Sequence, residues 1–240
     1  MLQELIPKQS MSRHNGDYYW DRGDAIVCGG QTVKGAHLPS FRFFKNGFAK
    51  DNKSCYCMGR KLRGASSDTF KVLNYCYVTD GEGVWTLGGQ IKDADAQSFV
   101  VCDDGFKQLS DGSKVPYGFA KDKDYVYYFD FQGKPKKLTK VNPDTFISLN
   151  DGHFGKDHKS VFFGSFRLAG AKLETWQKLD GHYSKDQNKV FSGNRVVKNA
   201  NIETFEVDSS LSSLAKDHIN FYSNDGVISE SDYVRIKSSA

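Results

Sequence analysis

Residues 118–128 read GFAKDKDYVYY, and this order of residue types returns along the chain. An aromatic residue or leucine and then a small residue precede a Lys-Asp pair. An apolar or aromatic triplet begins four residues after the Asp. Recurrence of several features in one frame indicates a tandem repeat. The clear copies of the pair contain Asp51, Asp122, Asp157, Asp186 and Asp217.

A second motif, Thr followed by an aromatic residue, sets the repeat length. The aromatic residue lies 19 positions after the Asp in the pairs Asp51–Phe70, Asp157–Trp176 and Asp186–Phe205, and 24 positions after it in Asp122–Phe146. The extra residues of that copy predict a longer hairpin tip at residues 131–135. The same spacing of motifs identifies weaker copies at Asp21 and Asp80. Successive Asp residues are then 30, 29, 42, 35, 29 and 31 positions apart, which gives seven units.

Each unit is typical of short strands joined by tight turns. Asp, Asn and Gly mark the turns, because Asx side chains bond nearby amides and glycine accepts positive φ. Val, Tyr and Phe fill the strands. A unit this short cannot bury its own apolar face, so neighbouring units must stack. The sequence predicts an all-β tandem array of antiparallel β-meander or hairpin repeats. Propeller blades usually run to about 40 residues or more, so an open curved array is favoured over propeller-like closure.

The whole chain, residues 1–240, reads as one repeat domain. Its recurrent aromatic residues are expected in the core: Phe70, Phe146, Trp176 and Phe205. The repeats are strong over residues 47–74 and 117–222, degenerate over 17–41 and 77–101, and incomplete over 214–240.

Charge and hydropathy exclude several classes of protein. With 33 Lys and Arg against 29 Asp and Glu, the net charge of +4 is too small for a dedicated nucleic-acid binder. No run of residues is long and apolar enough to cross a membrane. The N-terminus lacks the apolar core of a secretory signal. We therefore expect a cytoplasmic protein that binds neither nucleic acid nor membrane.

The charge is unevenly distributed. Residues 75–112 contain seven acidic and two basic residues, a net charge of −5, so the rest of the chain carries +9. This segment reads either as a solvated, loop-rich face or as a docking surface for a basic partner. The candidate partner-binding residues are Asp80, Glu82, Asp93, Asp95, Asp103 and Asp104.

Nothing in the sequence specifies a metal, a cofactor or a catalytic residue. The five cysteines lack zinc spacing and read as reduced core thiols. His153 and His182 share one repeat position, which leaves a two-histidine site open, but no third ligand is specified. Each repeat Asp is expected to cap its own turn rather than bind calcium. Nucleophile-elbow, phosphate-loop and dinucleotide-binding motifs do not occur, so an enzyme is not expected.

The stretch at residues 118–128 closely resembles the motif of the bacterial DKNYY repeat family, and residues 156–163 and 185–191 look like further copies. Some members of that family look like immunity proteins. The resemblance therefore implies a protein that binds a secreted antibacterial toxin and occludes it. A carbohydrate- or cell-envelope-binding module is the alternative, and an enzyme with a scattered site is a weaker one.

Overall fold

The computed structural model describes residues 6–7, 18–44, 46–109 and 111–239. The chain forms two compact units, Met1–Gly152 and His153–Ala240. Four of the predicted repeats fall in the first unit and three in the second. Residues 17 and 240, the outer limits of the first and last predicted repeats, lie outside the described residues. No helix among the described residues has the length and apolarity to cross a membrane.

The repeats share one plan of four short strands. Strand a ends at the lysine of the Lys-Asp pair, strand b is the apolar triplet, and strand c returns beside strand b. Strand d follows the second-motif aromatic residue and pairs with strand a of the next repeat. Sheets therefore have the order d-a-b-c, and every strand pair in them is antiparallel.

The first unit contains four sheets built on this plan and one extra hairpin. The first sheet is β2 (Tyr19–Asp21), β3 (Ile26–Cys28) and β4 (Gln31–Thr32), and a 3-10 turn follows at Leu38–Ser40. The second sheet is β1 (Ile6–Pro7), β5 (Arg42–Phe43), β6 (Phe48–Lys50), β7 (Cys55–Cys57) and β8 (Arg60–Lys61). The third is β9 (Lys71–Val72), β10 (Val78–Thr79), β11 (Val84–Thr86) and β12 (Gly89–Gln90). The fourth is β13 (Val100–Val101), β16 (Gly118–Lys121), β17 (Val126–Phe129) and β18 (Lys136–Lys137); the hairpin is β14 (Phe106–Gln108) with β15 (Lys114–Pro116), and β19 (Ile147–Ser148) comes last.

The second unit continues the plan and ends in a helix. Its first three strands are β20 (Phe154–Lys156), β21 (Val161–Phe163) and β22 (Phe166–Arg167). The next sheet is β23 (Gln177–Lys178), β24 (Tyr183–Lys185), β25 (Val190–Ser192) and β26 (Arg195–Val196). The last is β27 (Glu206–Val207), β28 (Leu214–Lys216), β29 (Phe221–Ser223) and β30 (Gly226–Ile228), followed by α1 (Glu230–Ser238).

Equivalent strands pair in equivalent register. The lysine before the repeat Asp faces the first triplet residue: Lys50 pairs with Cys55, Lys121 with Val126 and Lys185 with Val190. The predicted all-β tandem array of short antiparallel repeats is confirmed. Its open rather than closed arrangement stays a prediction.

The core lies between repeats rather than inside them. In strand β7, Tyr56 packs into a cluster with Tyr19 of the repeat before it, whereas Cys55 and Cys57 pack with Trp85 of the repeat after it. Successive side chains of a strand point to opposite faces. A sheet covered on both faces therefore needs three consecutive apolar residues, which explains the triplet.

The predicted burial of the second-motif aromatic residues holds for three of the four. Phe70, Phe146 and Phe205 are buried. Trp176 is half-buried, so it lies only partly in the core where it was expected. Its ring packs against Phe154 with centroids 5.6 Å apart. An indole is larger than the phenyl ring of the other copies and is rarely covered on every side.

Five of the repeat Asp residues join two repeats. One oxygen of Asp51 accepts hydrogen bonds from the amides of Lys53 and Ser54, both at 2.8 Å, and so caps its own turn as predicted. The other accepts from the amide of His37 in the preceding repeat at 2.8 Å. The same cross-repeat bond links Asp80 to Ser66, Asp122 to Asp95, Asp186 to Lys172 and Asp217 to Asn201.

The lysine beside the Asp makes the complementary contact in its own repeat. The ammonium of Lys50 donates to the carbonyl of Ser67 at 2.7 Å, that of Lys121 to Pro143 at 2.7 Å and that of Lys185 to Ile202 at 3.0 Å. All three carbonyls belong to the turn that directly precedes the second-motif aromatic residue. The Lys-Asp pair therefore binds two successive turns of this kind. The Asp binds the turn of the preceding repeat, and the Lys binds the turn of its own repeat.

The 42-residue step between Asp80 and Asp122 contains an element that sequence reasoning missed. The hairpin β14–β15 is inserted there, between strand d of one repeat and strand a of the next. The longer hairpin tip predicted at residues 131–135 lies in the loop between β17 and β18, as expected. Asp122 still binds the preceding repeat, although the inserted hairpin separates the two in sequence. Its carboxylate accepts a hydrogen bond from the Asp95 amide at 3.0 Å.

We predict that Asp122→Asn destabilises the protein by about 2–3 kcal/mol. Asp122 is buried and accepts four hydrogen bonds, from the amides of Asp95, Asp124 and Tyr125 and from the phenol of Tyr127. An asparagine NH2 group would face two of these donors. The measurement is the free energy of unfolding in urea. Asp124→Asn, an exposed neighbour in the same turn, should change it by less than about 0.5 kcal/mol. Equal effects of the two substitutions would contradict the assigned role.

Candidate functional site

Two of the six predicted partner-binding residues are used inside the fold. Asp80 is buried as the repeat Asp of the third repeat and accepts from the amides of Ser66, Glu82 and Gly83. Asp103 accepts from the amides of Gly105 and Phe119, at 3.0 and 2.8 Å, and from the Ser148 hydroxyl at 2.8 Å. Both carboxyl groups hold backbone in place.

The other four residues reach the surface to different extents. Glu82 and Asp104 are exposed. The Asp93 side chain is 73% exposed and forms an ion pair with Lys137 at 3.2 Å. Asp95 is half-buried, and its carboxylate lies 2.6 Å from the ammonium of Lys123. Three of the six candidate residues, Glu82, Asp93 and Asp104, are therefore exposed.

The sheet edges formed by the c strands carry a positively charged, basic edge, in contrast to the negative charge of the acidic segment. The c strands form the edges of their sheets, and several carry two exposed or half-exposed residues, of which many are basic. The sequence reasoning missed this edge, although aligning the repeats would have shown it. Its basic members in the first unit are Arg60, Lys61, Lys136 and Lys137, and the c strands of the second unit carry Arg167 and Arg195.

The b–c turns beside this edge lie close together in successive repeats. A Cβ atom at Gly59 would lie 2.9 Å from the Cβ of Cys28 at the end of β3, and one at Gly88 would overlap the carbonyl oxygen of Gly133. At Gly88 glycine is required because only hydrogen fits between the two backbones, and at Gly59 a Cβ would crowd the Cys28 side chain. The close approach brings the c strands of neighbouring repeats together.

An open pocket of about 700 Å³ lies in the second unit, between β27, β29 and α1. Its central carboxylate, Asp208, accepts from the Tyr233 hydroxyl and the Lys237 ammonium, both at 2.6 Å. The Lys237 hydrogen bond leads the interactions that lower the pKa of Asp208. Since one of its oxygens, Oδ2, accepts both of these hydrogen bonds, this carboxylate anchors α1 against the last repeat.

The cysteines behave as the sequence predicted. All five are free, and Cys102 is the half-buried one. Burial raises the pKa of Cys55, Cys57 and Cys102 to about 12 in each case. A thiol with so high a pKa is a poor nucleophile at neutral pH. These groups belong to the core.

The two histidines at the shared repeat position do meet. The Nε2 atoms of His153 and His182 lie 3.2 Å apart, and their rings are edge-on. Among the described residues, no group of three or more His, Cys, Asp or Glu side chains is placed to hold a metal ion. The pair is therefore a two-ligand arrangement.

We predict that Asp103 makes the protein less stable as the pH rises. Burial raises the pKa of its carboxyl group to about 6, although hydrogen bonds from Phe119, Ser148 and Gly105 lower it. The protonated form thus contributes stability that is complete below about pH 4 and is lost through about pH 6. Relative to Asp103→Asn, the free energy of unfolding of the wild-type protein should fall by about 2–3 kcal/mol between pH 4 and pH 7.5. Urea unfolding across this range measures it.

Asp68→Asn is the control for this pH dependence, because it removes an exposed carboxylate that is not among the groups acting on the pKa of Asp103. Its unfolding free energy should keep the pH dependence of the wild-type protein. Parallel curves for the wild-type protein and Asp103→Asn would show that Asp103 does not titrate in this range.

Comparison with known proteins agrees with the repeat frame. The model of the DKNYY family matches residues 48–195, which is more than half of the 240-residue chain. This range includes the degenerate repeat at residues 77–101 as well as strong repeats on both sides. No curated protein matches the sequence. No solved structure matches it either. The Lys-Asp repeats and this match together show that the chain belongs to the DKNYY family.

Proposed function

We propose that this protein is an immunity protein that binds a partner antibacterial toxin in the cytosol and inhibits it by covering its surface. The immunity role follows from the resemblance of its repeats to those of proteins that look like immunity proteins. The repeat architecture supports the proposal. Stacked repeats offer a broad, rigid surface, which suits protein binding.

The residues that define the repeat motif are not available for chemistry. The carboxylates of the repeat Asp residues and the ammonium groups of Lys50, Lys121 and Lys185 bond to backbone groups. The perturbed carboxyl groups of Asp103 and Asp208 likewise hold backbone or α1. This use of ionisable groups as structural ties favours a binding protein over an enzyme.

The observation that carries the proposal is the exposure of three of the candidate carboxylates in the acidic segment, those of Glu82, Asp93 and Asp104. A basic toxin would be steered to them by long-range attraction, which raises the association rate. A standard interface covers about 800 Å² of each partner. An interface of that size over a toxin's active site would block its substrate.

Three aromatic residues, Trp85, Trp176 and Tyr125, favour this reading over carbohydrate binding. Sugar-binding modules present flat rings to solvent, whereas Trp85 is 2% exposed and Trp176 packs on Phe154. Tyr125 is exposed, but the Lys137 ammonium lies 3.9 Å from the centre of its ring. These rings are already occupied by other side chains of the protein.

The test is binding to the product of a toxin-like gene beside this one. We expect the triple variant Glu82→Gln, Asp93→Asn, Asp104→Asn to bind that protein at least tenfold more weakly than the wild-type chain does. The dependence of its affinity on salt concentration should also be shallower, since three attractive charges are gone. Protection of cells that express the toxin should fall in parallel.

The matched control removes the same charge elsewhere on the surface of the first unit. Asp68→Asn, Asp124→Asn, Asp144→Asn alters three exposed carboxylates outside the acidic segment. This control should retain the wild-type affinity and salt dependence. Equal losses in both triple variants would remove the acidic segment from the interface. A neighbouring product that the wild-type chain neither binds nor inhibits would overturn the immunity function itself.

A further inference from the structure

Two histidines of the second unit are brought together by the stacking of repeats. His153 directly precedes β20 and His182 directly precedes β24, so each lies four residues before its repeat Asp. Other repeats have Gly47 or Gly118 at this position. The histidine pair therefore occurs at a single junction between repeats, although other repeats of the chain have an equivalent backbone position.

Both imidazoles are held in place by their surroundings. The His153 carbonyl accepts a hydrogen bond from the Gly164 amide at 2.7 Å, and the His182 carbonyl accepts from the Gly193 amide at 2.8 Å. The Phe163 ring is stacked on His153, with centroids 5.1 Å apart and planes 15° from parallel, and it contacts His182 edge-on at 5.2 Å. Restrained rings lose little entropy when they bind a ligand together.

The distance between the two Nε2 atoms is that of two ligands of one metal ion. Zn–N bonds of about 2.0–2.1 Å at a tetrahedral angle place two nitrogen atoms about 3.3–3.4 Å apart. The observed separation is 3.2 Å. In the structure these two nitrogens form a hydrogen bond, so one of them carries a proton, and a metal ion would take its place as that imidazole moves the proton to Nδ1.

We propose that His153 and His182 form a bidentate site for a borderline divalent metal ion, of which Zn²⁺, Ni²⁺ and Cu²⁺ are the relevant class. Imidazole nitrogen is a preferred ligand of these ions, whereas Mg²⁺ and Ca²⁺ require oxygen. His153 is 7% exposed and His182 is half-buried, so water completes the coordination from the side of His182. Bound metal would clip two successive repeats together.

The order of affinities follows from the ligand set. Two neutral imidazoles with no carboxylate or thiolate bind Cu²⁺ more tightly than Ni²⁺ or Zn²⁺, as the general order of divalent ions requires. Protons compete for the same nitrogens, so the affinity falls as the pH is lowered. Binding to the folded state alone raises the thermal midpoint with increasing metal concentration.

The experiment titrates the untagged, full-length protein with CuCl₂, ZnCl₂ and MgCl₂ by isothermal calorimetry. We expect one Cu²⁺ per chain, weaker binding of Zn²⁺ at the same site and no binding of Mg²⁺. His153→Gln and His182→Gln should each weaken Cu²⁺ binding at least tenfold and abolish the metal-dependent rise in thermal midpoint. His158→Gln and His218→Gln, at two exposed turn histidines, are the matched controls and should leave both readouts unchanged.

Electron paramagnetic resonance of the Cu²⁺-loaded wild-type protein gives a readout that needs no variant. Hyperfine splitting from two imidazole nitrogens supports the site. Splitting from a single nitrogen overturns it, and so does wild-type Cu²⁺ affinity in a folded His153→Gln or His182→Gln variant.

Discussion

The repeat carboxylate is the interaction on which the array depends. One oxygen of Asp51 caps a turn in its own repeat, and the other holds the amide of His37 in the repeat before it. An aspartate is the smallest side chain with two acceptor atoms that can do both. Because hydrogen bonds to charged groups are among the stronger ones, each junction with such a bond gains a directional tie in addition to apolar packing.

The apolar packing itself would not fix the order or spacing of the repeats. Aromatic rings such as Tyr19, Phe41 and Tyr56 pack at tilted angles with centroids 5.3–5.5 Å apart, a contact that tolerates sliding. The Lys-Asp pair removes that freedom, because its hydrogen bonds have fixed partners on both sides. Three repeats add a phenol to the same carboxylate, from Tyr56, Tyr127 and Tyr222, each at 2.7 Å.

The repeat length, the strands and the turn-capping role of Asp could be predicted because they depend on residues near each other in sequence. The cross-repeat bond could not, since its donors are backbone amides of His37, Asp95 and Lys172, which share no side-chain type. The number of carboxylates in the acidic segment that can meet a partner was overestimated for a related reason. A charge count cannot tell a carboxylate that binds amides, such as Asp103, from one that faces solvent. The meeting of the two histidines followed from their shared position in the frame.

The hairpin between β13 and β16 has a consequence for protein engineering. It adds a hairpin whose Phe106 packs on Tyr75, yet Asp122 still accepts its hydrogen bond from the Asp95 amide, as the repeat Asp does where the connection is shorter. Loop closure costs grow only slowly with length, so the connection between strand d and the next strand a tolerates added sequence. Peptides grafted at that connection would be displayed at a chosen junction while the register of the neighbouring repeats is preserved.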